Sequence, residues 1–184
     1  MSEIGKVLYG HDSDSYAFRD RNDLPRCSNC GSLLQKWEQD LSGLKLRKRN
    51  LDVSYTYDGV LVVSKRFRDF IDGKGFVGGE FQQLPNDSDY CSLMCDARVA
   101  FDYEKRQTRF EDRCDECGCY DSVAGATPAF LKNPEKIACN SLSRTDLEFG
   151  RGDEKHPLIV CGAEVVRAIS SQNFRGIDFA EIRD

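Results

Sequence analysis

The 184-residue chain has little of what most often runs catalysis: two histidines, one tryptophan, two methionines and five prolines. His11 sits in a polar stretch and His156 precedes Pro157 in "RGDEKHP". Neither stands at a recognisable spacing from a nucleophile, so each reads as a surface residue. No GxSxG elbow, P-loop or dinucleotide fingerprint occurs. The glycine-rich "GKGFVGGE" leads into a strand pattern, whereas a phosphate cradle opens a helix. These absences predict a protein that is not an enzyme.

Long apolar runs are missing too, and "MSEIGKVLYGHDSDSYAF" has neither the basic start nor the apolar centre of a signal peptide. The expectation is a cytoplasmic chain with no membrane partner. No low-complexity tract occurs, and 31% charged with 40% hydrophobic residues is the balance of a folded globular protein. Positive charge is in deficit, giving a net charge of -5. That makes nucleic acid an unlikely partner, because a phosphate-backbone binder needs excess Lys and Arg. An acidic protein suits a basic partner better.

Cysteine, by contrast, is abundant, with nine residues. In a reducing compartment an odd count does not make a disulfide framework, so metal ligation and burial are the two explanations. Four cysteines form two matching frames, Cys27-x-x-Cys30-Gly31 and Cys114-x-x-Cys117-Gly118. Each Cys-x-x-Cys turn brings two thiolates to one side of a tight loop, and two such turns complete a tetrahedral site suited to zinc. The predicted ligands of one structural Zn2+ per chain are Cys27, Cys30, Cys114 and Cys117. Unligated thiols in turns are the plain alternative. A thioredoxin-like redox pair fits poorly, since such a motif opens a helix whereas Gly follows each frame here. Cys119 could exchange with a predicted ligand. Cys91 and Cys95, four apart on an expected helix, read as packing groups more readily than as ligands.

An internal repeat relates residues 60–84 to 157–182. With one residue inserted near Gly162, Leu61 aligns with Leu158, Val63 with Val160, Ile71 with Ile169, Phe76 with Phe174, Gly78 with Gly176 and Phe81 with Phe179. Cys161 then falls at the place of Ser64. Each copy reads strand, helix, strand: "VLVVS" is a strand, Ser64 caps a helix whose face is Phe67, Phe70 and Ile71, and Gly78 turns the chain into a second strand. Val165, Ala168 and Ile169 repeat that helical face. Further back, "LDVSY" (51–55) resembles "TDLEF" (145–149). The pattern predicts an α+β fold of duplicated zinc-knuckle plus strand-helix-strand modules sharing one four-cysteine site. Its parts are an N-terminal strand and loop segment (1–26), a first module (27–84), a helical connector (85–113) and a second module (114–184), packed as one compact unit. The connector's helix is expected from Tyr90, Leu93, Met94, Ala97, Ala100 and Phe101, which follow helical spacing.

The two CxxCG frames together with "VVSKRFRDFIDGKGFVGGEF" and "PLIVCGAEVVRAISSQNFRGIDFAEI" resemble the bacterial double-CxxCG motif family of immunity proteins for polymorphic, contact-dependent toxins. The resemblance covers most of residues 27–182, with Cys161 standing where the pattern has Ser. It implies a cytoplasmic protein that binds and neutralises the cognate toxin domain encoded by the adjacent gene; the acidic charge would suit a basic nuclease. The competing class is a zinc-ribbon module that binds nucleic acid or the transcription or translation machinery. That class needs a basic, aromatic-studded face near the knuckles, for which "LKLRKRN" (44–50) is the one strong candidate.

Overall fold

The computed structural model describes residues 5–183. The outermost four residues of the N-terminal segment and the last residue of the second module lie outside that range. Among the described residues the fold is α+β, mostly sheet, with three α-helices. Its centre holds two four-stranded units with the same strand order.

In the first unit β2 (Val53–Tyr55), β3 (Leu61–Ser64), β4 (Gly79–Leu84) and β5 (Asp87–Cys95) lie in the order β4-β5-β3-β2. Helix α1 (Lys65–Gly73) joins β3 to β4. Its N-cap is Ser64, whose hydroxyl accepts from the Phe67 N–H at 3.1 Å. This satisfies one of the backbone donors that every helix start leaves unpaired. In the second unit β10 (Leu142–Arg151), β11 (His156–Cys161) and β12 (Ile177–Arg183) surround a strand from the other end of the chain, β1 (Lys6–Asp12). Their order is β12-β1-β11-β10, and α3 (Ala163–Ser170) joins β11 to β12.

Sheet register relates the units residue by residue. Val63 faces Cys91 and Phe81 faces Leu93; likewise Cys161 faces Lys6 and Phe179 faces Leu8. Val53 pairs with Val63 as Leu142 pairs with Cys161. The helix caps, Ser64 and Gly162, fall on the same offset. This corrects the sequence alignment in two places. No inserted residue is needed, because Leu61 matches Ile159 and Val63 matches Cys161; Cys161 is the last strand residue, and Gly162 takes the place of Ser64. The partner of "LDVSY" is 140–144, not "TDLEF". A one-residue slip along a strand exchanges its two faces, and only the corrected register puts Leu61, Val63, Ile159 and Cys161 in the same core.

That core is shared by both units. It joins Phe67 and Ile71 of α1 to Val165, Val166 and Ile169 of α3, over Leu8, Val53, Leu93 and Leu142 from the strands. Gly78 and Gly176, at φ +88° and +81°, let each unit press against the other. A Cβ on Gly78 would lie 2.2 Å from Leu142 O, and one on Gly176 2.5 Å from Val53 O, so no side chain fits either place. The opposite faces are covered separately. Ala17, Phe18, Leu24, Leu41 and Leu44 lie under Val62 and Leu84 of the first unit, while Phe101, Val123 and Leu131 lie under Val7, Leu158 and Val160 of the second.

The connector is the main departure from expectation. Residues 85–113 hold β5, β6 (Arg98–Val99), a single helical turn α2 (Tyr103–Arg106) and β7 (Arg109–Arg113), in place of one long helix. The helical spacing of Tyr90, Leu93 and Met94 competes with an alternation that appears once Cys91 and Cys95 count as apolar. Cys91, Leu93 and Cys95 are all buried on one face of β5, so the two-residue period prevails. The strand continues through β6, which pairs in parallel with β10. Strand β7 forms a hairpin with β8 (Tyr120–Ala124), and β9 (Ala129–Phe130) pairs in parallel with β12. His11, expected in a loop, belongs to the end of β1 and pairs with Ser54 of β2, which joins the two units.

Candidate metal centre

Each CxxCG frame folds into the same knuckle. In the first, the Gly31 N–H donates to Cys27 O at 2.9 Å, the Cys27 N–H donates to Ser32 O at 3.0 Å, and Arg26 bridges Leu33. In the second, the Gly118 N–H donates to Cys114 O at 2.9 Å, the Cys114 N–H donates to Cys119 O at 2.8 Å, and Arg113 pairs with Tyr120. Gly31 and Gly118 both adopt φ +73°, in the left-handed region that favours glycine. The first knuckle hangs in the long cover of the first unit; the second is the tip of the β7–β8 hairpin.

The knuckles face each other, although 87 residues separate Cys27 from Cys114. Their Sγ atoms are 3.8 Å apart, those of Cys30 and Cys117 are 3.6 Å apart, and all four sulfurs lie within 4.8 Å of one another. Four thiolates placed tetrahedrally about 2.3 Å from a zinc ion are about 3.8 Å from each other. The spacing therefore fits that donor set, and Cys27, Cys30, Cys114 and Cys117 lie close enough to hold a metal ion. Cys27 and Cys114 are buried, Cys117 is half-buried and Cys30 is exposed, so the site sits at the surface with an inner and an outer pair.

Backbone dipoles repeat the symmetry. The N–H groups of Cys30 and Asn29 point at the Cys27 thiol, those of Cys117 and Glu116 at Cys114. Ser32 supports Cys30 with its hydroxyl and its N–H, and the Cys119 N–H supports Cys117. The Cys117 N–H, with the Asn29 side-chain amide next, holds Cys114 down to about 6. Cys117 is pushed up instead: desolvation and the adjoining Cys30 and Cys114 thiols outweigh the Cys119 N–H. Crowded thiols without a cation cannot all ionise, and a divalent metal removes that conflict.

Around the sulfurs lies a second set of ties that the sequence did not reveal. Ser28 Oγ donates to the Glu116 carboxylate at 2.8 Å, directly linking the knuckles. The loop 152–155 between β10 and β11 binds both. Asp153 accepts from Arg26 Nη1 at 2.8 Å and from the Leu33 N–H at 3.1 Å. Lys36 Nζ donates to Asp153 O and Lys155 O at 2.8 and 2.6 Å, and Lys155 Nζ reaches back to Tyr120 O at 2.6 Å. Burial lowers Lys36 to about 8, against the attraction of Glu148, Asp58 and Asp153. The charged string "RGDEKHP" thus closes the centre from a third side.

The remaining cysteines are not among the four clustered sulfurs. Cys119 adjoins Cys117 but is not one of the four clustered ligands. Cys91, Cys95 and Cys161 are buried in the shared core; burial pushes Cys95 up to about 12 and Cys161 higher still. Cys139 is exposed. Of the histidines, His11 Nε2 meets Asp178 Oδ2 at 2.8 Å on the surface. His156 departs from the expected surface position: it is half-buried, stacked 4.5 Å from Tyr55, with Nδ1–H donating to Glu154 O at 2.9 Å. Among the described residues no helix is long and apolar enough to cross a membrane. A scan of the chain against protein-family models finds no match, and no curated protein matches its sequence.

Proposed function

We propose that this protein is a cytoplasmic immunity protein, which binds a bacterial polymorphic toxin and neutralises it without catalysis. In this reading it is a duplicated module held together by one structural zinc ion on Cys27, Cys30, Cys114 and Cys117. The observation that carries the proposal is where the family-like residues lie. Phe67, Ile71, Gly78 and Phe81, with their counterparts Val165, Ile169, Gly176 and Phe179, build the seam between units, and Ser64 and Gly162 start the helices that carry it. The four frame cysteines close the other end. The motifs thus make a scaffold, and a scaffold is what a tight inhibitor requires: rigid presentation of a surface, with charge complementarity to speed capture. Zinc supplies a closed four-thiolate tie and no open coordination position for chemistry. The common register of the units supports the duplication, with β1 standing in the second unit where β5 stands in the first.

The best candidate for the nucleic-acid alternative is partly engaged within the protein. In the 44–50 stretch, Leu44 is buried, Lys48 Nζ donates to Asp12 O at 3.3 Å, and Arg49 pairs with Asp87 and Asp89 at 3.1 and 3.4 Å. Of its four cations Arg49 pairs with the protein's own carboxylates and Lys48 with a backbone carbonyl, while Lys45 and Arg47 are exposed. The direct test is co-expression with the toxin domain encoded by the adjacent gene. Growth rescue and a stoichiometric complex of nanomolar affinity are expected. No rescue and no complex, together with salt-sensitive binding to DNA or RNA, would replace this reading with the alternative.

A further inference from the structure

The two units differ at one edge. In the second, the outer side of β12 takes an added strand: Ile182 and Arg183 pair in parallel with Ala129 and Phe130 of β9. In the first, the corresponding strand β4 has β5 on one side and, among the described residues, no strand on the other. The likeness of β4 to β12 is close, since Phe81 faces Leu93 as Phe179 faces Leu8. The added strand covers only the positions equivalent to Leu84 and Pro85, so among the described residues 79–83 of β4, like 177–181 of β12, have a strand on one side alone.

An open edge is normally protected by lysines, prolines, bulges or short length, because its unpaired N–H and C=O groups recruit other chains. Strand β4 reads Gly79–Leu84, "GEFQQL", with no lysine or proline. Its ladder to β5 is regular from Gly79 to Gln83 and shifts only at Leu84. At its start Val77 is 53% exposed, more than any other large hydrophobic side chain among the described residues. Its backbone is fixed on both sides, its N–H donating to Asn140 O and its carbonyl accepting from the Leu142 N–H. One charge lies on the strand, Glu80, which pairs with Met94 of β5 two residues short of the exposed Asp96, and that carboxylate raises the Glu80 carboxyl. Two like charges side by side are a place for a cation.

We propose that β4 is a docking edge for an extended segment of a partner protein, which adds as a further strand and seats a Lys or Arg between Glu80 and Asp96. Main-chain hydrogen bonds would supply affinity, while the carboxylate pair and Val77 would select the side chains. This rests on the immunity reading, and it assigns the toxin's contact segment a basic, strand-forming character. A second copy of this chain fits less well: it would bring a second Glu80–Asp96 pair into the same interface, and like charges across an interface repel.

The test uses the full-length protein and the adjacent-gene toxin domain, comparing wild type with the Glu80→Lys/Gln82→Lys double variant. A lysine at 80 lies beside Asp96 and replaces a repulsion by an attraction, so the melting temperature is held or raised and a loss of binding is not a loss of fold. The double variant is expected to weaken the complex about 100-fold, the scale of like-charge juxtaposition at an interface. Hydrogen exchange of the amides of residues 79–83 is expected to slow when the toxin domain binds wild type. A tight wild-type complex that the variant joins equally well, with no slowing at 79–83, would overturn the docking edge alone. Absence of any wild-type complex would overturn the immunity reading and the edge with it. A wild-type dimer that the double variant splits would assign the edge to self-pairing, against this proposal.

Discussion

Replacing Cys114 by Ser removes one of the two inner sulfurs and with it the proposed metal tie between the knuckles. The tie joins points 87 residues apart in the chain. Treated as a cross-link closing a loop of that length, it removes about 4–5 kcal/mol of freedom from the unfolded chain. In a domain of this size each kcal/mol moves the melting temperature by about 2–4 °C, so the variant should melt about 8–20 °C lower. It should still fold, because Ser28–Glu116, Arg26–Asp153 and the Lys36 and Lys155 contacts hold the same segments without metal. The assay is metal content by elemental analysis alongside thermal unfolding followed through Trp37, with and without a strong chelator. Wild type should carry about one zinc per chain, and chelation should bring its melting curve down to that of the variant. Cys119→Ser and Cys139→Ser should leave both readings in place. A wild-type protein that takes up no zinc would refute the reasoning, and so would a Cys114→Ser variant that keeps its metal and melts within about 2 °C of wild type.

The seam and the half-buried histidine give two further expectations. Gly78→Ala and Gly176→Ala each force a Cβ against a carbonyl oxygen, at 2.2 and 2.5 Å, in a positive-φ conformation. Each should cost about 2–4 kcal/mol in urea unfolding, and a change below about 0.5 kcal/mol would show that the units are not pressed together there. Burial lowers the pKa of His156, so between its folded value and the unfolded value of about 6.5 the unfolded chain binds the proton that the folded chain does not. Stability should therefore fall as pH drops through that window, and His156→Gln should flatten the profile. An identical slope in the variant would place the titrating group elsewhere.

Local rules made much of the chain legible before its structure. Ser64 as a cap, the Phe67–Ile71 face and Gly78 as a left-handed turn all follow from side-chain chemistry within a few residues. The same holds for the knuckles, since Cys-x-x-Cys-Gly makes its own turn and its own N–H cradle. Misreading began where the local signal was ambiguous. In 87–95 a helical and an alternating pattern overlap, and the buried cysteines that decide between them, read as packing groups, fall on an expected helix face. In "VLVVS" against "PLIVC" nothing local says which residue faces the core, so an alignment by similarity slipped by one.

By itself, the sequence determined the four sulfurs, the order of strand, helix and strand, and the recurrence of that order, because each is encoded in short-range spacing. Only the tertiary structure decided that β1 completes the second unit, that Asp153 and Lys155 bind the knuckles, and that β4 keeps an open edge. Those outcomes depend on backbone donors and acceptors that are chemically alike along every strand. Which partner each one meets, often more than a hundred residues away, is settled only when the shared core fixes the register.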